Sequence, residues 1–263
     1  MKLIDIGINL MHRSFDKDRH LIVQAAGEAG VSPLIITGTN ERGSLEALSY
    51  AAKYPGKLYA TAGVHPHDAK TCGPATPRKL KDLARHECAV AIGECGLDYN
   101  RDFSPRDTQR EWFIKQLELA AELAMPVFLH ERDAFEDFFA ILKERRAGIK
   151  NAVVHCFTGS EKELDAYLGL GCFIGITGWI CDERRGRHLA GLVKRIPADR
   201  LMIETDAPFL MPRDLEDGGG KSGRNEPKYL THIAEALARH LEKDVKVLAE
   251  ETYTNSRLFF GIE

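Results

Sequence analysis

The sequence predicts an α/β protein in which eight parallel strands close into a (β/α)8 barrel. Short apolar runs recur eight times along the 263 residues, and segments with apolar residues at helical spacing separate them. Alternating strands and helices form parallel sheets, and eight units of about 30 residues fit a closed barrel. An open, doubly wound sheet is the alternative, but no Gly-x-Gly-x-x-Gly fingerprint follows any run. We therefore expect one domain over residues 1–263.

The eight apolar runs have the length and composition of buried parallel strands. They cover residues 3–10, 33–38, 58–66, 89–98, 126–130, 151–155, 172–178 and 201–206. Helical spacing of apolar residues follows the fourth run over 113–121 and the fifth run over 135–142. After the eighth run the sequence predicts a loop and then two helices, over 226–240 and 245–259.

Composition limits the kinds of partner and compartment. The net charge of −3 excludes a broad basic surface for nucleic acid, so a local patch or metal ions must hold any anionic substrate. The six cysteines are scattered without a CxxC pair, which favours buried free thiols in a reducing compartment. The N-terminus has no signal-peptide architecture, and no apolar run reaches 18 residues. We expect a cytoplasmic monomer that does not bind membranes.

One glycine-rich segment, residues 217–223 (DGGGKSG), ends like a phosphate-binding loop. That motif needs a glycine five residues before Gly220, where Leu215 stands, and a strand that leads directly into the loop. A flexible loop over the barrel mouth is therefore the preferred interpretation.

Polar side chains recur at the carboxyl ends of the predicted strands, where barrels of this class place their active sites. They are His65, Glu94, His130, His155 and Asp206. Each of them alone would be read as a core histidine, a capping group or a solvated strand end. Their repetition at the barrel period predicts a common site. Two imidazoles and two carboxylates, from Glu94, His130, His155 and Asp206, suit a divalent metal with positions left for water and substrate.

A metal at such a mouth lowers the pKa of bound water and polarises a scissile group, which is typical of nucleases and amidohydrolases. Several motifs carry a more specific resemblance: DIGINL at 5–10, GVHPH at 63–67, IGECGLD at 92–98, VHCFTG at 154–159, ETDAP at 204–208 and RNEP at 224–227. Over essentially its full length the chain resembles the TatD family of metal-dependent deoxyribonucleases. The resemblance implies a TIM barrel of metal-dependent hydrolase type and phosphodiester cleavage with one or two Mg²⁺ ions, Mn²⁺ or Zn²⁺ being alternatives. It also implies metal ligands at the same four residues and cleavage in the 3′→5′ direction.

The chain departs from the wider amidohydrolase group at the end of its first strand. Many of those relatives carry a His-x-His pair there, whereas this chain has Gly7 and Asn9, as in the bacterial TatD branch. Without these two imidazoles, we expect the second of two metal positions to be weak.

Roles follow for the other polar residues at the mouth. We expect Asp206 to take a proton from the attacking water and His65 to orient a phosphate oxygen, with a structural hydrogen-bond donor as the alternative for His65. His67 and Asn9 are weaker candidates for substrate contact. Glu204 points to the same side as Asp206 but deeper, and we interpret it as structural.

Arginines provide candidate phosphate contacts. Arg184, Arg185 and Arg187 follow the seventh strand, where they could clamp phosphates or form a solvated helix start. Arg224 is a candidate from the loop after the eighth strand, and Asn225 suits an N-cap with proline in the first helical turn.

The leading hypothesis is an exonuclease acting on single-stranded DNA and RNA ends. A carbon–nitrogen or ester hydrolase on the same barrel is the alternative enzyme class. It would prefer a lysine on the fourth strand, where Glu94 stands. A non-catalytic partner of protein export is the third hypothesis, and the intact set of metal ligands argues against it.

Overall fold

The computed structural model describes residues 1–184, 186–215 and 223–262, and it confirms the eight-stranded parallel barrel. The strands pair in chain order within one sheet. They are β1 Leu3–Ile8, β2 Val31–Ile36, β3 Leu58–Ala62, β4 Ala89–Asp98, β5 Val127–Arg132, β6 Ala152–Val154, β7 Phe173–Ile176 and β8 Leu201–Ile203.

Helices alternate with the strands around the sheet. They are α1 Arg19–Glu28, α2 Glu41–Ala51, α3 Thr76–Ala84, α4 Arg106–Leu123, α5 Phe135–Arg145, α6 Glu161–Gly169, α7 Leu189–Leu192, α8 Leu230–Leu241 and α9 Val245–Phe260. Among the described residues, none of these helices is both long and apolar enough to cross a membrane.

The first and last strands are joined just beyond their ends. The amide of Asp206 donates to the carbonyl of Gly7 at 2.9 Å, and the amide of Asn9 donates to the carbonyl of Ala207 at 2.8 Å. These two bonds complete the ring of strands at the carboxyl end of the barrel.

The core has two layers because successive strand residues point to opposite faces of the sheet. On β5, Phe128 points into the barrel interior, while Val127 and Leu129 pack outward against the helices. Phe259 and Phe260, at the end of α9, pack against the interior cluster. Apolar side chains therefore fill the barrel interior, and the polar residues are left for its carboxyl end.

Several predicted boundaries differ from the structure. β3 ends at Ala62, β6 at Val154 and β8 at Ile203, so that His65, His155 and Asp206 lie one to three residues beyond their strands. The fourth predicted strand, 89–98, coincides with β4, and Glu94 lies within this strand and not at its end.

Glu94 follows an irregularity inside β4. The register with β5 shifts between Gly93 and Cys95, and the Gly93–Glu94 peptide bond is cis. Gly93 has φ of 134°, and a Cβ there would lie 2.3 Å from the carbonyl oxygen of Phe128. Such bulges redirect a side chain within a strand, and this one accompanies a glycine-only backbone conformation.

The predicted helix after β8 begins differently. Residues Pro227–Tyr229 form a 3-10 turn before α8, and Glu226 occupies the N-cap position. The prediction of Asn225 as the N-cap is therefore wrong, although proline does stand in the first turn. Asn225 is fully buried, and its amide nitrogen donates to the carbonyls of Thr205 and Phe209 at 2.9 and 2.7 Å.

Candidate active site

The centre of the site is one oxygen atom, Oε1 of Glu94, on which three imidazoles converge. Nε2 of His155 lies 2.7 Å from it, Nδ1 of His130 lies 2.9 Å from it, and Nε2 of His65 lies 3.4 Å from it. Glu94 is only 6% exposed, so these contacts are largely shielded from water. Each histidine comes from a different strand or the loop that follows it, as the barrel geometry requires.

The donor set fits a divalent cation. Donor atoms of His65, Glu94 and His130 lie within 4.8 Å of one another, which is the spacing of ligands around one ion. Burial opposes charge on His155, but the Glu94 and Glu204 carboxylates outweigh it and hold the pKa of His155 well above its usual range. A site that draws a proton onto a buried imidazole has an excess of negative potential, which a cation would also satisfy.

The proton on His65 can be assigned from its second nitrogen. Nδ1 of His65 accepts the backbone N–H of His67 at 3.1 Å, and burial lowers the pKa of His65 to about 4. The imidazole is therefore neutral, with its proton on Nε2. This tautomer makes Nε2 a hydrogen-bond donor at the mouth, 3.4 Å from Oε1 of Glu94.

A buried carboxylate stands behind His155. Nδ1 of His155 lies 3.4 Å from Oε2 of Glu204, and neither atom has a hydrogen-bond partner by strict geometry. Glu204 is fully buried, and its Oε1 accepts the backbone N–H of Cys156 at 2.5 Å. Metal-binding histidines commonly have a carboxylate at their second nitrogen, which fixes the ring and its tautomer.

Glu204 fits only because two glycines flank it. A Cβ on Gly7 would lie 2.3 Å from Oε2 of Glu204, and one on Gly175 would lie 2.8 Å from Oε1. The space beside the first strand, where a His-x-His pair would begin, is thus occupied by the carboxylate of Glu204.

Asp206 and Asn9 form a pair at the end of the barrel. Nδ2 of Asn9 donates to Oδ1 of Asp206 at 2.8 Å, so Asn9 positions the carboxylate. Burial raises the pKa of Asp206 to about 7, with the carboxylates of Glu94 and Glu204 adding to the rise and His155 opposing it. A carboxylate with a pKa near neutrality can accept a proton and release it again, as a general base must.

Sequence reasoning assigned no role to Asp98, which the structure places beside the cluster. Its Oδ2 lies 2.7 Å from Nε2 of His67 and 3.3 Å from Nε2 of His130, and its side chain is almost fully buried. Burial opposes ionisation, but hydrogen bonds from His130 and His67 hold the pKa of Asp98 well below its usual range. The sequence pattern that could have identified Asp98 is the alternation of side chains along a strand. In β4 this alternation places residues 94, 96 and 98 on one face of the sheet.

The cluster lies in an open cavity of about 1390 Å³. The cavity is lined by all the predicted histidines and carboxylates of the mouth, together with Asn9 and Asp98. Arg42, Arg101 and Arg132 also line the cavity, and Nε of Arg42 lies 2.9 Å from Oε1 of Glu46.

Two of the predicted phosphate-binding arginines, Arg184 and Arg224, lie outside this cavity. The described residues that line the cavity do not include Arg184 or Arg224. Arg184 is 67% exposed, with Nε 3.8 Å from Oδ1 of Asp182. Arg224 pairs with Asp18 at 2.7 Å and Glu226 at 2.8 Å, so its guanidinium is already engaged. Arg185 and most of the 217–223 segment lie outside the described residues.

Comparisons with known proteins agree with this geometry. The family model described as "TatD related DNase" matches residues 4–261. A "3'-5' ssDNA/RNA exonuclease TatD" from Pectobacterium atrosepticum is 50% identical over 99% of this chain and 100% of its own length. The protein of the same description from Erwinia amylovora is 51% identical with the same coverage. The crystal structure of the TatD homologue YjjV from Escherichia coli has a TM-score of 0.90 at 26% identity and covers 99% of this chain and 98% of its own.

The family match spans nearly all of the chain, and the relatives share half of its residues over their full lengths. The motifs quoted from the sequence include Glu94, His65 and His155. The chain belongs to the TatD family of deoxyribonucleases.

Proposed function

We propose that this chain is a divalent-metal-dependent exonuclease that removes nucleotides from the 3′ ends of single-stranded DNA and RNA. The observation that carries the proposal is the convergence of His65, His130 and His155 on Oε1 of Glu94 in an open cavity. The described activity of relatives that are about 50% identical supports the substrate and the direction.

The residues that would hold the ion are Glu94, His130, His155 and Asp206, and Mg²⁺ is the proposed species, with Mn²⁺ or Zn²⁺ as alternatives. When bound, such an ion would lower the pKa of water and polarise the scissile phosphate. Asp98 can accept a hydrogen bond from the Nε2–H group of His130, which leaves the Nδ1 lone pair directed at the Glu94 side. Glu204 would hold the ring of His155 in the same way.

Different side chains of this chain would carry out the separate parts of the reaction. Asp206 would accept a proton from the attacking water at Oδ2, because Asn9 already occupies Oδ1. The Nε2–H group of His65 would donate to a non-bridging phosphate oxygen, as its tautomer allows. The arginines of the cavity rim would hold neighbouring phosphates.

A preference for single strands follows from charge and shape. Binding to duplex relies on many phosphate contacts, and a chain with a net charge of −3 has no broad basic surface to provide them. A strand end needs only the few cations around the cavity. A cytoplasmic location remains a prediction, supported by the six free cysteines of the chain, and a monomer also remains a prediction.

The test is a ladder assay with strands labelled at either end, single or paired with a complement, in the presence and absence of Mg²⁺. We expect stepwise shortening from single-stranded 3′ ends that needs the metal. Faster cutting inside blunt duplex would contradict the proposed substrate form. A parallel panel of amides and esters tests the alternative, since turnover of these without turnover of nucleic acid would support a carbon–nitrogen or ester hydrolase.

A further inference from the structure

Two phenylalanines expose their rings at the mouth of the barrel. Phe103 is 55% exposed and Phe209 is 48% exposed, and both line the cavity that contains Glu94. The other large apolar side chains that are exposed among the described residues lie away from the cavity: Met1, Leu21, Leu45, Val247 and Leu258. Large aromatic side chains left exposed beside a functional site are typical of ligand contacts.

The two rings come from opposite sides of the barrel. Phe103 lies in the loop after β4, and Phe209 lies in the loop after β8. Because the eight strands are arranged in chain order around the ring, β4 and β8 face each other across the mouth. The two phenylalanines and the donor cluster around Glu94 line the same cavity.

Each ring is held in place although it is exposed. Phe103 makes an edge contact with His67 at 4.7 Å between ring centroids, and Phe209 makes one with His12 at 5.4 Å. The carbonyl of Phe103 accepts from Nζ of Lys70 at 2.8 Å, and the carbonyl of Phe209 accepts from the buried Asn225 at 2.7 Å. A ring that is already positioned loses less entropy when a ligand stacks on it.

We propose that Phe103 and Phe209 are base-binding subsites, on which the two nucleobases that flank the scissile phosphate stack, one on each ring. The inference rests on the proposed function, since it places that phosphate at the Glu94 cluster, in the cavity that both rings line. Stacking on an aromatic side chain accepts any base because every base has a π-face. Bases in a duplex are already stacked on their neighbours, so these subsites would also favour single strands.

The test combines protein variants with strands that lack one base. Phe103→Ala and Phe209→Ala are compared with wild type on single strands that carry an abasic residue at the 3′-terminal or the penultimate position. On intact strands we expect each variant to lose roughly 5- to 150-fold in kcat/KM. On the strand that lacks its own base, each variant should match wild type. Leu258→Ala, at a 70% exposed position outside the cavity, is the control and should behave as wild type on every strand.

A binding assay provides a readout that does not depend on hydrolysis. Strands that carry 2-aminopurine at the last or penultimate position are titrated with metal-stripped protein, and we expect fluorescence quenching by wild type that one of the two variants removes at each position. Equal losses on intact and abasic strands, or unchanged quenching in both variants, would overturn the proposal. If wild type quenches 2-aminopurine but leaves strands intact with Mg²⁺, the exonuclease assignment fails while the subsites stand.

Discussion

Nε2 of His155 lies 2.7 Å from Oε1 of Glu94, although the two residues are 61 positions apart in the chain. The contact connects β4 with the end of β6, and His130 on β5 reaches the same oxygen from between them. Three neighbouring elements of the barrel therefore depend on one carboxylate for the geometry of the site.

We expect Glu94→Ala and His155→Ala each to lower turnover by at least about 100-fold, because each removes part of the proposed cation-binding set. The fold should persist, since the mouth is separate from the apolar layers that stabilise the barrel. Turnover on labelled single strands is measured together with thermal unfolding, with His240→Ala as the matched control. If both variants kept full turnover after the metal was stripped and Mg²⁺ restored, Glu94 and His155 would not be the metal ligands.

Removal of metal ions by a chelator should abolish hydrolysis, and addition of Mg²⁺ should restore it. Calorimetric titration of the free protein should show one tight site at most, because Gly7 provides no ligand and Asn9 is bonded to Asp206. Mg²⁺ would complete a second position with water and substrate oxygens. Two equally tight sites without substrate would count against this account.

Gly7→Ala should weaken metal binding by about 10- to 100-fold, because its Cβ would displace the Glu204 carboxylate that supports His155. Gly27 on α1 is the matched control, since a Cβ there meets nothing within 4 Å. We expect Gly27→Ala to leave metal binding unchanged and to stabilise the helix by about 0.5–1 kcal/mol. Equal metal affinities in the two variants would refute the role of Glu204.

Asp5 predicts a pH dependence of stability. Burial raises the pKa of this carboxyl from 3.8 to about 7, against hydrogen bonds from Thr205 and Gly7. The folded protein thus holds the proton more tightly, and this contribution to stability is fully present below pH 3.8 and is lost as pH rises to about 7.

Asp5→Asn removes this titration. Relative to wild type, the variant should gain ~1 kcal/mol in unfolding free energy per pH unit across that range. Denaturant unfolding at a series of pH values measures the difference, with the exposed Asp82→Asn as the control. A difference that does not vary with pH would show that Asp5 has an ordinary pKa.

Arg224→Ala should destabilise the fold by about 1 kcal/mol without reducing turnover per folded molecule. The guanidinium is paired with Asp18 and Glu226, and it lies 4.8 Å from the ring centroid of Phe15, so the side chain stabilises the loop after β8. Unfolding midpoints measure the expected loss of stability, and kcat/KM on single strands measures whether turnover is unchanged. If the variant raised KM and left stability unchanged, the result would instead support a role for Arg224 in substrate binding.

The pattern of the strands made the barrel and its mouth predictable. Apolar runs at a regular spacing predicted the eight strands, and the polar residue after each run then had to lie at the carboxyl end. His155 illustrates this, because it follows β6 directly and lies in the cluster although nothing local marks it as a ligand.

What could not be predicted depends on contacts between distant segments. Arg224 pairs with Asp18, which is 206 positions away in the chain, and no local sequence pattern predicts that ion pair. The position of Glu94 within β4 depends on a shift in register with β5, which a periodic pattern does not encode. The tautomer of His65 depends on a loop amide, which is visible only when the backbone is known.

The hydrogen bonds that join β1 to β8 run through Asp206, which would accept the proton, and Asn9, which positions its carboxylate. A transient opening of the barrel at this seam would separate the base from the amide that aims it, while the other seven strand pairings stayed intact. The activity would thus depend on whether the hydrogen bonds between the ends of β1 and β8 are formed. Loss of this seam alone would therefore be enough to abolish turnover.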